Sequence, residues 1–296
     1  MLRILATIFA ALLGLAFGSF LNVCLSRWPE GESIVKPRSH CRACTRPLLW
    51  WENIPVLSWL ALGGRCRTCN AAIRWRYPLI EAAVGTLWGA TVWSLSPEFL
   101  SLQLPATILC WNLAELLGRF ILYWLLVALA ALDAENLWLP DILTIPGIVI
   151  GLVIFLIQAA LVVISPLHDI VYGSASKMIA TEAGHEALNR MIAIFIAAAL
   201  ILLIRWVYWL FRRQEGIGLG DAKLMALLAA WLGLPGALLS FFFGVILGAL
   251  VAVPLVMTHR TAQAKLPLGT FLCIGGIISA LWGQQIIAAY LSWAGF

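Results

Sequence analysis

The feature that most constrains this chain is a series of apolar runs, each about as long as a bilayer is thick, separated by short loops that hold most of the charge. A hydrocarbon core of about 30 Å takes about 20 helical residues to cross. Only 11% of the 296 residues are charged and 62% are hydrophobic, whereas a soluble domain carries roughly 25% charged residues. So little charge cannot cover a soluble surface, and the chain reads as an all-α polytopic membrane protein. This excludes a cytosolic nucleotide-binding enzyme, a secreted disulfide scaffold and a disordered tail. The net charge of +5 is concentrated, with nine of the 19 Lys and Arg between Arg27 and Arg76. Charge placed this way reports topology, and no nucleic-acid partner is expected.

Eight crossings are expected: Leu2–Leu25, Pro78–Leu95, Ile108–Leu132, Ile142–Ile164, Met191–Phe211, Leu224–Leu234, Ala237–Met257 and Leu268–Leu291. The sixth is short and meets the seventh at Gly233-Leu-Pro-Gly236, a turn signal, so seven crossings is the competing count. The first run exceeds a signal-peptide core and reads as a retained helix. Positive residues stay on the cytoplasmic side. The loop Ser26–Tyr77 is therefore placed in the cytoplasm and the N-terminus outside. Alternation puts Asp133–Asp141, Arg212–Lys223 and Arg260–Lys265 on the cytoplasmic side, and leaves Ser96–Pro105 and Ser165–Arg190 outside. The latter loop holds His168, Asp169, His185 and Glu186, whose spacing fits no compact metal site. Three parts follow: residues 1–25 as the first helix, 26–77 as a cytoplasmic loop and 78–296 as a helical core.

Of seven cysteines, Cys24, Cys110 and Cys273 fall in apolar runs and read as small hydrophobes. The other four form two C-x-x-C pairs in the basic loop: Cys41 with Cys44, then 21 residues, then Cys66 with Cys69. Two such knuckles complete a tetrahedral thiolate shell, and a reducing compartment favours zinc over disulfides. Such a closed shell leaves no open position for chemistry, so its expected role is structural, a zinc ribbon holding a loop with little core of its own. Arg42, Arg46, Arg65 and Arg67 flank the sulfurs and would offset their charge. A set of unligated or redox thiols is the alternative.

Acidic residues at membrane boundaries are the second signal, since carboxylates near hydrocarbon are costly and tend to mark function. Asp133 ends a long apolar run, Asp141 follows Leu139-Pro140, and Asp221 follows Gly216-Ile-Gly218-Leu-Gly220. Asp141 and Asp221 have an ordinary alternative as N-caps of the next helix; Asp133 does not. Two carboxyls at one partly dry site share a proton, so that one activates water while the other protonates a scissile carbonyl. Glycines beside Asp221 would let a substrate backbone approach.

Read together, these segments resemble the bacterial type IV prepilin peptidases, bifunctional leader peptidases and N-methyltransferases. The resemblance runs nearly end to end. It rests on Gly18-Ser-Phe-Leu-Asn22, the two Cys pairs with Asn53-Ile-Pro55 and Gly64-Arg65-Cys66-Arg67, Arg76-Tyr-Pro78-Leu-Ile-Glu81, Asp133 through Leu139-Pro140-Asp141, and Gly218-Leu-Gly220-Asp221-Ala-Lys223. It implies that Asp133 and Asp221 are the catalytic pair, supported by Gly218, Gly220, Lys223 and Asp141. It further implies cleavage of a short basic leader from prepilins or type II secretion pseudopilins at the cytoplasmic face of the inner membrane. The new N-terminus, usually Phe, would then be methylated from S-adenosylmethionine, with Glu81 a candidate for that half and the two sites distinct. Two departures stand out. The first knuckle has Arg42 where Pro is common after the first Cys, and Thr270 stands where a second Pro is common in Lys265-Leu-Pro-Leu-Gly-Thr-Phe271, which is expected to alter substrate contacts. The resemblance leaves the oligomeric state open.

Two other classes compete. A proton- or cation-coupled transporter needs acidic residues at mid-membrane, where Glu115 and Arg119, four apart, would neutralise each other. A scaffold organised by the zinc loop leaves Asp133 and Gly218–Asp221 without a role.

Overall fold

A computed structural model describes residues 1–95, 106–164, 176–214, 218–257 and 266–295. The basic segment 260–265, the short loop 96–105, and His168 and Asp169 lie outside the described residues. The helices are α1 (Leu2–Arg27), α2 (Leu57–Ala61), α3 (Arg76–Ser94), α4 (Ala106–Asn136), α5 (Asp141–Ile164), α6 (Ser176–Arg212), α7 (Leu219–Met257) and α8 (Leu268–Ala294). Extended pairing among the described residues is limited to two isolated bridges.

All eight expected crossings coincide with helix, but six helices among the described residues are long and apolar enough to span a membrane. The difference has two sources. The expected sixth and seventh spans run together as α7, interrupted at Gly233, whose φ of 71° and ψ of 178° break the helical path. Such a positive φ suits glycine. The second expected span, α3, has 19 residues and begins on the polar Arg76-Tyr77 pair, so its apolar stretch is short. His185 and Glu186, expected in an outer loop, stand exposed on α6.

The chain divides into two compact units. The first comprises Met1–Ser101 with Arg119–Ala128. Its helices α1 and α3 pack backbone to backbone and antiparallel. A Cβ on Gly14 would lie 2.9 Å from Gly85 Cα, one on Gly18 2.7 Å from Glu81 Cα, and one on Gly89 3.2 Å from Ala11 Cβ. Small residues four apart on both helices permit this approach, which is how helices associate where lipid removes the hydrophobic drive. Trp88 stacks on Phe120 at 4.3 Å and donates its indole N–H to the Phe120 carbonyl at 3.1 Å.

The second unit comprises Leu102–Gly118 with Leu129–Phe296. Here Trp231 of α7 fills the space over Gly151 of α5 and donates to the Gly147 carbonyl at 2.9 Å. The Gly236 carbonyl, just past the break in α7, accepts the hydroxyls of Ser240 at 2.7 Å and Ser279 at 2.9 Å. These bonds satisfy polar groups that lipid cannot solvate.

Candidate active site

In the second unit, Asp133 lies in the last turn of α4, which ends as Leu137 turns to a φ of 51° and its N–H returns to the Asp133 carbonyl at 2.9 Å. Helix continues past Asp133 to Asn136, so this carboxyl sits within the helix terminus rather than after it. Asp221 is the third residue of α7. Its Oδ2 accepts the Gly218 N–H at 3.2 Å, the reach-back half of a capping box. The N-cap reading of Asp221 is thereby replaced, because the cap position belongs to Gly218.

Both side chains are buried, at 6% and 8% exposure, and the Asp133 carboxylate lies within electrostatic reach of Asp221 as a like charge. Leu139 connects them: a Cβ on Gly220 would stand 3.0 Å from Leu139 Cβ, and one on Gly269 3.0 Å from Leu139 Cδ1. The same point on Gly269 lies 2.9 Å from Asp133 Oδ2. Within this site, then, Gly220 makes room for Leu139, and Gly218 presents an N–H to Asp221. These are local uses of glycine, distinct from the expected approach of a substrate backbone.

Asp133 is held from α8. Its Oδ2 accepts the Thr270 N–H at 2.6 Å and lies 3.1 Å from the Thr270 hydroxyl. Sequence reasoning had Thr270 only as a departure touching substrate, and missed Gly269. The Gly-Thr pair after Pro267, opening an apolar helix, was the available signal. Cys273, fully buried one turn further along α8, lies within electrostatic reach of both Asp133 and Asp221. Asp141, the first residue of α5, pairs with Lys223 at 2.5 Å. That pair is about half exposed, so it contributes at most about 1 kcal/mol; it ties the start of α5 to the first turn of α7. Glu115 accepts a bond from Gln158 at 2.8 Å.

In the first unit the four thiols of Cys41, Cys44, Cys66 and Cys69 lie within 4.8 Å of one another. The Cys41 and Cys69 sulfurs are 3.8 Å apart, which equals the edge, about 3.8 Å, of a tetrahedron with metal–sulfur bonds of about 2.3 Å. None is in a disulfide. The two knuckles repeat one geometry. Cys41 N–H bonds the Arg46 carbonyl at 2.9 Å and Thr45 N–H returns to Cys41 at 2.8 Å, while Cys66 N–H bonds Ala71 at 2.9 Å and Asn70 N–H returns to Cys66 at 3.0 Å. N–H groups of Cys69 and Thr68 aimed at the Cys66 sulfur bring its thiol down to about 6, the thiolate character that a metal ligand needs. Of the flanking arginines, Arg46 reaches both Cys66 and the Glu52 carboxylate, the latter at 2.7 Å. Arg42 instead pairs with Glu30 at 3.3 Å, and Arg67 lies over the Trp51 ring at 5.1 Å.

Glu81 is buried at 7% exposure. Its Oε2 accepts the Val56 N–H at 2.7 Å, and Ser19 and Asn22 also bond the carboxylate; nearby on α3, Arg76 donates to Ser26 Oγ at 3.0 Å. Beside Ser19 opens a cavity of about 460 Å³, lined among others by Phe20, Arg27, Arg38, Trp50 and Asn53. Its size falls in the range of small-molecule sites. Arg27 forms part of its wall, with its guanidinium fixed on the carbonyls of Ser33 at 2.8 Å and Pro37 at 2.6 Å.

Comparison with known proteins places both units. Residues 12–95 match the Bacterial Peptidase A24 N-terminal domain and residues 120–253 the Type IV leader peptidase family. Among similar curated proteins, one called prepilin leader peptidase/N-methyltransferase from Pseudomonas aeruginosa is 34% identical over 96% of this chain and 93% of its own length. Proteins of the same name from Stutzerimonas stutzeri, 32% identical, and Aeromonas salmonicida, 33% identical, match 96% and 95% of this chain and 93% and 92% of their own. No solved structure matches. The chain therefore belongs to the type IV leader peptidase family.

Proposed function

We propose that this protein is a membrane aspartic endopeptidase that removes the leader of type IV prepilins or type II secretion pseudopilins and then N-methylates the new N-terminal residue. The observation that carries the peptidase half is the meeting of two buried carboxyls, 88 positions apart in sequence, from the end of α4 and the start of α7, with no neutralising cation between them among the described residues. In the reaction, one carboxylate takes a proton from water as the water oxygen attacks the scissile carbonyl carbon. The other, protonated, gives its proton to the carbonyl oxygen. The tetrahedral intermediate then collapses: the C–N bond breaks, the leaving amine takes the proton held by the first carboxyl, and a hydroxyl proton returns to the second. Burial strengthens both transfers by excluding competing water. The Asp141–Lys223 pair holds the first turn of α7, and with it Asp221, in register.

The methyl-transfer half belongs to the first unit. S-adenosylmethionine, when bound, supplies an electrophilic methyl group. The cavity beside Ser19 fits such a molecule in volume and chemistry, with Trp50 and Phe20 offering faces to a purine, Arg38 a partner for a carboxylate and Glu81 a negative charge behind its wall for a sulfonium. Zinc on the four cysteines has a structural role. The basic loop supports a cytoplasmic placement of residues 26–77 in a bacterial inner membrane, with the N-terminus outside.

The test is mass spectrometry of a prepilin incubated with the purified protein and S-adenosylmethionine. Asp133→Asn and Asp221→Asn are each expected to abolish cleavage while a synthetic mature pilin beginning with Phe is still methylated. Glu81→Ala is expected to give cleaved, unmethylated product. Leader removal by either folded Asn variant refutes the pair.

A further inference from the structure

Asp133 occupies an unfavourable place for a negative charge. It lies in the last turn of α4, where the helix presents its unpaired carbonyls. Its support comes from a different helix. Thr270 is the third residue of α8, so its N–H is one of the four amides that α8 cannot satisfy internally, and it points at Asp133 Oδ2 from 2.6 Å. The Thr270 hydroxyl stands 3.1 Å from that same oxygen and 3.1 Å from the Ala130 carbonyl. One hydroxyl proton serves one acceptor at a time. Both acceptors are in reach, so the hydroxyl can serve a charged Asp133 and has the Ala130 carbonyl as an alternative when Asp133 holds a proton. By contrast, among the described residues Asp221 Oδ2 accepts a single N–H, from Gly218 at 3.2 Å. Among the described residues, the titratable groups within electrostatic reach of Asp133 are Asp221 from α7 and Cys273 from α8, and neither supplies a positive charge. Among the described residues, the α8 amide and hydroxyl are the donors on this carboxyl.

We propose that Thr270 is a positioning residue of the peptidase site, holding Asp133 as the ionised member of the pair so that Asp133 is the general base and Asp221 the general acid. This rests on the catalytic-pair reading above and assigns the two roles that it leaves open. Hydrogen bonds to the charged form of a carboxylate favour that form, and Asp133 has both the shorter contact and the second donor. The hydroxyl also answers the chemistry, since its alternative acceptor lets Asp133 hold the water proton until the amine leaves. Gly269 completes the arrangement by leaving no side chain where Asp133 Oδ2 lies. A Pro at position 270 would supply neither donor, so the device belongs to this chain's own sequence.

The experiment measures prepilin cleavage by the full-length protein in lipid nanodiscs across pH for the parent, Thr270→Val, Thr270→Ser and Asp133→Asn. Valine matches threonine in shape and keeps the backbone N–H, so it removes the hydroxyl donor alone. Loss of one bond to a charged group is expected to lower kcat about tenfold and to move the acid limb of the kcat/KM profile about one pH unit upward, with KM little changed. Thr270→Ser, which keeps the hydroxyl, is expected to restore both. Methylation of a mature pilin peptide is expected to be unchanged in all four proteins. A parental kcat and profile in Thr270→Val overturns the proposal, and so does a shift confined to the alkaline limb, which would make Asp221 the base. Asp133→Asn separates the layers: its inactivity beside a parental Thr270→Val removes the positioning role and leaves the pair standing, whereas cleavage by Asp133→Asn removes the pair itself.

Discussion

Gly269→Ala probes how tightly the site is built around Asp133. A methyl carbon at this position would stand 2.9 Å from Asp133 Oδ2, 3.0 Å from its Cγ and 3.0 Å from Leu139 Cδ1. Ordinary van der Waals contact begins near 3.4 Å, so the carboxyl must retreat by about 0.5 Å at the least. The retreat opposes the 2.6 Å bond from Thr270 N–H. Overpacking of this kind costs about 1–3 kcal/mol, partly offset by the higher helix propensity of Ala, up to about 1 kcal/mol. Stability is therefore expected to fall by no more than about 3 kcal/mol. Catalysis is more sensitive, because misplacing a reacting group by about 1 Å can cost about a hundredfold in rate. The expected result is a kcat for leader cleavage lower by one to two orders of magnitude in a protein that still inserts, melts near the parental temperature and methylates mature pilin.

The double variant Gly269→Ala/Leu139→Ala isolates the cause. Trimming Leu139 relieves the second clash and leaves the first. It is expected to recover stability without recovering kcat. Recovery of kcat would show that Leu139, rather than the carboxyl, transmits the effect. A Gly269→Ala protein with parental kcat would refute the reasoning outright, since no relaxation short of moving Asp133 or α8 accommodates the methyl.

Elemental analysis of the purified protein is expected to find about one zinc per chain, and Cys69→Ser to lower that content and expose the loop to protease while leader cleavage partly survives. An absence of metal in active protein would contradict the four-thiolate centre. Glu52 offers a pH test of the same loop. The Arg46 guanidinium and the Leu49 N–H hold its carboxyl below the ordinary range, so its stabilisation is present above the unfolded-state value and is lost as pH falls through the folded one. Glu52→Gln is expected to raise amide exchange across Ser39–Cys69 at neutral pH, with the gap from the parent narrowing on acidification; a gap that widens would reverse the sign.

The sequence carried the helical class, most of the membrane spans and the two clusters of candidate residues because each is written in local pattern. Apolar runs report lipid-facing length, and paired C-x-x-C knuckles report a four-thiol cluster able to hold a metal. Asp221 and Asp141 could each be read as ordinary caps, and here local logic stopped short. Asp221 turned out to be the third helical residue reaching back to Gly218, and the charge of Asp141 is directed at Lys223, 82 positions away. The glycines show the same limit. Gly14, Gly18, Gly85 and Gly89 sit four apart on α1 and α3, a spacing visible in the sequence, yet only the docked helices reveal that they let two backbones meet.

Thr270 marks where the local signal ends. Nothing within several residues of it is acidic, and as a polar residue opening an apolar helix it has an ordinary use as a helix-end group. Its partner is 137 positions earlier. The bond exists because the N-terminus of α8 faces the C-terminus of α4, a favourable meeting of opposite helix ends. A carboxylate placed between those ends is repelled by its own helix and attracted by the other. The sequence can name a residue that would suffer from the first effect. Only the packed structure supplies the second, in the amide and hydroxyl that α8 brings to the buried Asp133 carboxyl.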